Sequence, residues 1–134
     1  MEHLFLPYDL SMMAKIKGFN EPCLAYYNSI TKEIGYTYPS HTRYHINTVD
    51  KLFPSAPLYQ QIIDWLRKTH KIHIQIFIGH DEDKIWYNFD LEPVELGYNY
   101  EPHTCDTDVE GYDKENGYYL TLNKAITEAF KIIK

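Results

Sequence analysis

The alternation of apolar and polar residues is the strongest pattern in the chain. Residues 72–78 carry isoleucine at every second position, which is typical of a strand with one buried face. Residues 79–83 are rich in acids and include a glycine, which predicts a turn, and residues 84–90 alternate again as a returning strand. Residues 94–100 alternate in the same way. The middle of the chain is therefore predicted to form an antiparallel hairpin followed by a further strand.

Three other segments place apolar residues at helical spacing. The first is predicted over residues 7–17, with Gly18 at its C-terminal cap. The second is predicted to follow Ser55 as its N-cap, with Pro57 in the first turn, where a missing N–H costs little. The third is predicted over residues 118–133.

The remaining segments complete the predicted fold. Two tyrosine-rich stretches, 23–28 and 33–38, predict a second hairpin. Residues 39–54 have no strong period and predict an irregular connection, and residues 101–117, rich in Asp, Glu and Gly, predict a loop. The order α-β-β-α-β-β-(β)-α indicates an α+β fold, with an antiparallel sheet and helices packed mainly on one face.

The length of 134 residues fits a single domain. Helix and hairpin occur together twice, at about residues 6–38 and 57–90, before the last helix, so a duplicated α-β-β unit is an alternative organisation. No apolar run approaches the roughly 20 residues of a membrane span, and we expect no membrane partner. The two cysteines form no disulfide framework, so we expect a cytoplasmic protein.

The net charge of −6 is unevenly distributed. Residues 80–117 hold twelve acidic residues against Lys84 and Lys114. Binding to duplex nucleic acid requires clustered Lys and Arg, which the sequence lacks, so we expect no duplex partner. The acidic segment favours a cation or a basic partner instead.

One segment resembles the start of a calcium-binding loop. Asp106, Asp108 and Glu110 alternate, and Gly111 occupies the sixth position, as in an EF-hand. The pattern then fails, because the twelfth position, where a bidentate Glu is needed, is Gly117. The segment is therefore not an EF-hand, and a weak cation site or a plain acidic turn are the two interpretations left.

Catalytic motifs are lacking from the sequence. It contains no nucleophile elbow, phosphate loop, dinucleotide fingerprint, C-x-x-C or H-E-x-x-H. Cys23 opens an apolar stretch and is interpreted as a small core residue. We therefore expect no cofactor and favour a protein that is not an enzyme.

Several segments resemble a group of short uncharacterised proteins associated with phage and prophage-like elements. They lie at the start, middle and end of the chain, at residues 6–10, 17–19, 23–27, 56–67 and 122–126. The resemblance implies a shared fold and genomic setting, and it implies no activity and no catalytic residue.

The aromatic strands suggest an interaction module. If the isoleucines of 72–78 face the helices, the residues between them face outward, including Phe77. Phe77 and Trp86 would anchor a protein partner, and Asp81, Glu82 and Asp83 would steer a basic one. The alternative is that a third layer, either the segment 39–54 or a second copy of the chain, covers this surface. Two further alternatives are a cation-binding or catalytic domain that uses the 101–115 loop, and a weakly acidic mimic of nucleic acid.

Overall fold

The computed structural model of the chain has an α+β fold, as the sequence predicts. It describes residues 2–37, 47, 53–81, 84–94, 103–107 and 114–133, with the backbone alone at 81, 84–86, 103–107 and 114–116. Within these residues the strands form two three-stranded antiparallel sheets instead of one. The chain divides into two compact units, Met1–Ile62 and Ile63–Lys134.

The first unit contains short elements. They are the 3₁₀ helix η1 (Glu2–Leu4), helix α1 (Tyr8–Ile16) and the strands β1 (Ala25–Tyr27), β2 (Ile34–Tyr36) and β3 (Ser55–Ala56). The strand order is β2-β1-β3, so the predicted tyrosine-rich hairpin is present and gains a third strand from later in the chain.

Side-chain oxygens organise the hairpin turn and the entry to α1. The Asn28 carboxamide oxygen accepts hydrogen bonds from the backbone N–H groups of Ile30 and Thr31, at 2.9 and 3.1 Å, which is an Asx turn. At α1, the Leu6 carbonyl accepts hydrogen bonds from the Ser11 hydroxyl at 3.0 Å and the Tyr27 hydroxyl at 2.8 Å. These bonds tie the start of the helix to β1.

A small apolar cluster lies on one face of this sheet. Its buried members are Phe5, Ala25, Tyr27 and Ala56, with Tyr8, Ile34 and Leu58 packed against them. The aromatic rings meet edge to face, which is a favourable geometry: Phe5 with Tyr36, and Tyr8 with Tyr27.

Helix α2 (Tyr59–His70) begins later than the sequence predicts. Ser55 is not its N-cap, because it lies buried in β3 and pairs with Tyr26 of β1. The backbone N–H of Leu58 instead donates to the side-chain oxygen of Gln61, at 3.0 Å, as one half of a capping box. The sequence-based assignment is wrong here because Ser55 belongs to β3, and Pro57 follows that strand, with its carbonyl accepting the Leu6 N–H at 2.8 Å beside the isolated bridge between Phe5 and Leu58.

The second unit contains a long hairpin and a long helix. Strands β4 (Ile72–Asp81) and β5 (Lys84–Pro93) pair along their full lengths, and β6 (His103–Thr107) pairs with the other side of β5. Helix α3 (Lys114–Ile132) packs on β4 and β5. The loop predicted over 101–117 is therefore wrong in two places, because β6 and the first turn of α3 lie within it.

The core of the second unit follows the predicted alternation. Phe89 and Leu91 of β5 are fully buried, as are Leu122, Ile126 and Phe130 of α3. Ile72 and Ile74 of β4 are buried on the same face, whereas Ile78 is 65% exposed at the far end of the strand. The apolar residues that pack on this face of the sheet therefore do not extend as far as Ile78. Of the strand predicted over residues 94–100, only Val94 is described; it is a bend residue whose N–H pairs with the Lys71 carbonyl.

Candidate interaction surface

The β4–β5 hairpin carries a row of side chains that points away from the apolar core. Residues that face each other across an antiparallel pair lie on the same side of the sheet. The register therefore places six side chains together, and we call this surface the open face: His73 beside Glu92, Gln75 beside Asp90, and Phe77 beside Asn88.

Phe77 is the apolar member of the open face. Its side chain is 40% exposed, between polar neighbours. The prediction that His73, Gln75 and Phe77 face away from the isoleucine row is confirmed by the register and by the burial of Ile72 and Ile74. A partly exposed aromatic ring on a strand is a suitable anchor for an incoming chain.

The rest of the open face is acidic and hydrogen-bonding. Glu92 is exposed, and Asp90 is half-buried. One carboxylate oxygen of Asp90, Oδ1, is inaccessible to solvent and accepts no hydrogen bond from the described residues. A buried carboxylate oxygen without a donor is energetically costly, and because this oxygen is inaccessible, the exposed Glu92 is the carboxylate that an incoming molecule can contact.

The other residues predicted to bind a partner lie at the end of the hairpin. The backbones of Asp81 and Trp86 belong to β4 and β5, where Asp81 pairs with Lys84 and Trp86 pairs with Gly79. Glu82 and Asp83 lie outside the described residues. The partner-binding role of all four stays a prediction.

The predicted cation site is described only at one position. Asp106 lies in β6, with its backbone paired to Asn88, and not in a loop. Asp108 and Glu110 lie outside the described residues. Among the side chains that the structure describes, no group of three or more His, Cys, Asp or Glu could hold a metal ion.

Cys23 has the environment of a core residue. It is a free thiol with no exposed surface, and its Sγ atom contacts the Glu21 carbonyl oxygen at 3.4 Å. Burial raises the pKa of the Cys23 thiol to about 12, and hydrogen bonding to Ser55 offsets part of that rise. A thiol that stays protonated at neutral pH is a poor nucleophile.

The first unit also has a polar cleft of about 460 Å³. It is lined by Glu2, Tyr27, Lys32, Glu33 and Ile34. The Lys32 ammonium lies 5.3 Å from the centre of the Tyr8 ring. Burial, and then the nearby Glu2 carboxylate, raise the pKa of Tyr27, whose hydroxyl is already engaged by the Leu6 carbonyl. The cleft therefore offers charges of both signs and no activated nucleophile.

Sequence reasoning missed two features near the open face. The exposure of Ile78 was not anticipated, because the alternation alone places it with the buried isoleucines. Strand β6 is not predicted because the acidic residues around it indicate a loop, although Thr104 and Thr107 are residue types that favour strands.

No helix in the described part of the chain has both the length and the apolar character needed to cross a bilayer. No protein-family model, curated protein or solved structure matches the chain.

Proposed function

We propose that this chain is a non-enzymatic protein-binding module whose open face binds a basic segment of another protein. The observation that carries the proposal is Phe77, an aromatic side chain that is 40% exposed on a sheet face that also carries Asp90 and Glu92. Buried aromatic anchors supply most of the energy of many interfaces, and acidic neighbours select a basic partner and speed its approach.

The charge distribution supports a basic partner. The described open face carries two carboxylates and no Lys or Arg, and the sequence adds Asp81, Glu82 and Asp83 where the hairpin turns. A Lys or Arg of the partner would pair with the exposed carboxylate of Glu92. Trp86, next to this turn, is proposed as a second anchor.

The setting we propose is the cytoplasm of a cell that carries a phage or a related mobile element. The resemblance of residues 6–10 and 56–67 to phage-associated proteins supports the mobile-element setting. The buried, unpaired thiol of Cys23 is consistent with a reducing compartment.

Two phenylalanines make a matched test of this proposal. Phe77 and Phe53 are each 40% exposed, but they lie in different units of the chain. The tagged chain would be used to capture partners from a bacterial lysate for mass spectrometry, and the purified partner would then be titrated against each variant. We expect Phe77→Ala to weaken binding roughly tenfold or more and Phe53→Ala to leave it unchanged.

Salt dependence and a charge variant test the acidic part of the proposal. We expect Glu92→Gln to slow association and to reduce its dependence on ionic strength, because steering by surface charge is screened by salt. Equal affinities for the two phenylalanine variants, or a capture that recovers no stoichiometric partner at any salt concentration, would contradict the proposal.

A further inference from the structure

Strand β4 is an edge of its sheet. The strand order is β4-β5-β6, and β4 pairs only with β5 among the described residues. An edge strand presents a row of backbone N–H and C=O groups that can pair with another chain. At ten residues, β4 is longer than most strands, so this row is extensive.

The register identifies the backbone groups that point outward. Val94 N–H donates to the Lys71 carbonyl at 3.0 Å, and Pro93, which has no N–H, lies opposite Ile72. Hydrogen-bonded and non-hydrogen-bonded pairs alternate in an antiparallel ladder. The outward-pointing backbone groups are therefore those of the even-numbered residues, Ile72, Ile74, Ile76, Ile78 and His80.

Within residues 72–80, all of which the structure describes, β4 lacks the charged residues, prolines and bulges that often protect an edge from pairing. Residues 72–80 contain no Lys, Arg, Asp, Glu or Pro, and each residue of β4 faces one residue of β5, without a bulge. Phe77 and Ile78 are 40% and 65% exposed and point to opposite faces of the sheet, so this end of β4 is uncovered on both sides.

We propose that β4 pairs in the antiparallel direction with β4 of a second copy of this chain, about a two-fold axis at Ile76. This register joins the outward backbone groups of the two strands, because even-numbered residues then face even-numbered residues. It places Ile76 opposite itself and Ile78 opposite Ile74 of the second copy. The result is a continuous six-stranded sheet.

The apolar pattern selects a second copy as the occupant. In this register the uncharged residues 72–80 of one copy lie opposite residues 72–80 of the other, so no like charges are brought together along the paired segment. The isoleucine row of one copy continues into that of the other and covers the exposed Ile78. A strand that complements itself in this way forms an isologous interface.

The first test is the mass of the full chain in solution. Sedimentation velocity across a concentration series is expected to give a species of about twice 15.9 kDa. Ile78→Lys is expected to weaken dimerisation roughly tenfold or more, because it places a charge opposite an isoleucine. The matched control is Ile30→Lys, at an isoleucine that is 83% exposed in the first unit and should leave dimerisation unchanged.

Cysteine cross-linking tests the register. Hydrogen-bonded residues that face each other in an antiparallel pair have Cα atoms about 5.5 Å apart, which is within the range of a disulfide. Oxidised Ile76→Cys is therefore expected to form a covalent dimer on a non-reducing gel, above the level of the unaltered chain. Ile78→Cys, whose counterpart in the second copy faces Ile74, is expected to form much less.

Three results would overturn this proposal. They are a monomer at every concentration, a dimer that Ile78→Lys leaves as stable as Ile30→Lys does, and equal cross-linking at positions 76 and 78. Circular dichroism of each variant establishes that it is folded, and the exposure of Ile78 makes folding of Ile78→Lys the expected outcome. The dimer needs no bound partner, so the test is independent of the binding role of the open face.

Discussion

The two units of the chain use different means to hold a three-stranded sheet. In the first unit the strands have two or three residues each, and the sheet is joined to its surroundings by side chains such as Tyr27, whose hydroxyl binds the Leu6 carbonyl. In the second unit β4 and β5 have ten residues each, and their apolar row packs against α3. The first depends on particular polar and aromatic contacts, and the second depends on regular alternation.

The difference shows how strand length determines the kind of contact a sheet needs. A strand of three residues has few ladder hydrogen bonds and little apolar surface, so each side-chain contact contributes a larger share of the stability of the sheet. A ten-residue hairpin buries a continuous row and can leave Phe77 and Ile78 exposed. Both units expose apolar side chains, but those of the second unit include two consecutive residues of a long strand, whereas Ile16 and Ile30 of the first unit lie in a helix and a turn.

The largest expected effect is on the core of the second unit. Phe89→Ala removes a fully buried ring between the sheet and α3, and we expect it to lower the free energy of unfolding by about 3–5 kcal/mol. Urea denaturation followed by circular dichroism measures the loss. Phe53→Ala removes a ring that is 40% exposed and packs edge to face on Tyr26, and it should cost clearly less, about 1 kcal/mol. A similar cost for both variants would show that the second unit does not depend on its apolar row.

A smaller effect distinguishes two glycines that lie under tyrosine rings. A Cβ atom at Gly117 of α3 would lie 2.7 Å from the buried Tyr87 ring, and one at Gly35 of β2 would lie 2.6 Å from the half-buried Tyr26 ring. The Tyr87 ring has little room to move, so the overlap should cost about 1–3 kcal/mol, more than the gain of about 1 kcal/mol in helix propensity.

We therefore expect Gly117→Ala to destabilise the chain and Gly35→Ala to change its stability less. At Gly35 the overlap is with the far end of the Tyr26 side chain, which can swing toward solvent. The two urea midpoints, measured under one set of conditions, make the comparison. A Gly117→Ala variant more stable than the unaltered chain would show that Tyr87 is not closely packed on the helix.

In both units the sequence predicted the local elements, such as helix α1 and the β1–β2 and β4–β5 hairpins, and it failed where local pattern is not enough. Alternation over residues 72–78 and 84–90 predicts a local hairpin, and the outward row with Phe77 follows from it. The assignment of Ser55 is wrong because it pairs with Tyr26, far away along the chain, and local patterns carry no information about such pairing. The assignment of 103–107 as loop is wrong because the acidic residues around this segment conceal a strand that pairs with β5. Periodicity also does not show how far along β4 the packed apolar residues extend, so it does not predict that Ile78 is exposed.

The smallest expected effects are on the dependence of stability on pH, and they have opposite signs in the two units. His70, at the end of α2, packs its ring 4.5 Å from that of Trp65, and its buried Nε2 atom forms no hydrogen bond with the part of the chain that the structure describes. Desolvation lowers the pKa of His70 below its usual 6.5, despite the helix C-terminus, which favours a cation. The unfolded chain then binds this proton more readily, so stability is complete above about pH 6.5 and falls as the pH decreases below it.

Cys23 in the first unit has the reverse behaviour. Burial raises its pKa from 9.0 to about 12, so its contribution to stability is complete below about pH 9 and is lost as the pH rises toward 12. We expect His70→Gln to flatten the acid side of a plot of urea midpoint against pH, and Cys23→Ala to flatten the alkaline side. Variants that shift the whole curve without changing its shape would exclude these two groups as the cause.

The spacing of the paired strands has a consequence for the order of folding. The two strands of the β4–β5 hairpin are joined by two residues, so they can meet as soon as both have been synthesised. In the first unit, β1 cannot pair with β3 until Ala56, the partner of Ala25, has been synthesised. In the same way, Phe5 cannot form its bridge until Leu58 has been synthesised. Closing such long loops costs entropy before any contact is gained. The region that is synthesised first is therefore the one whose sheet closes through the longer loop.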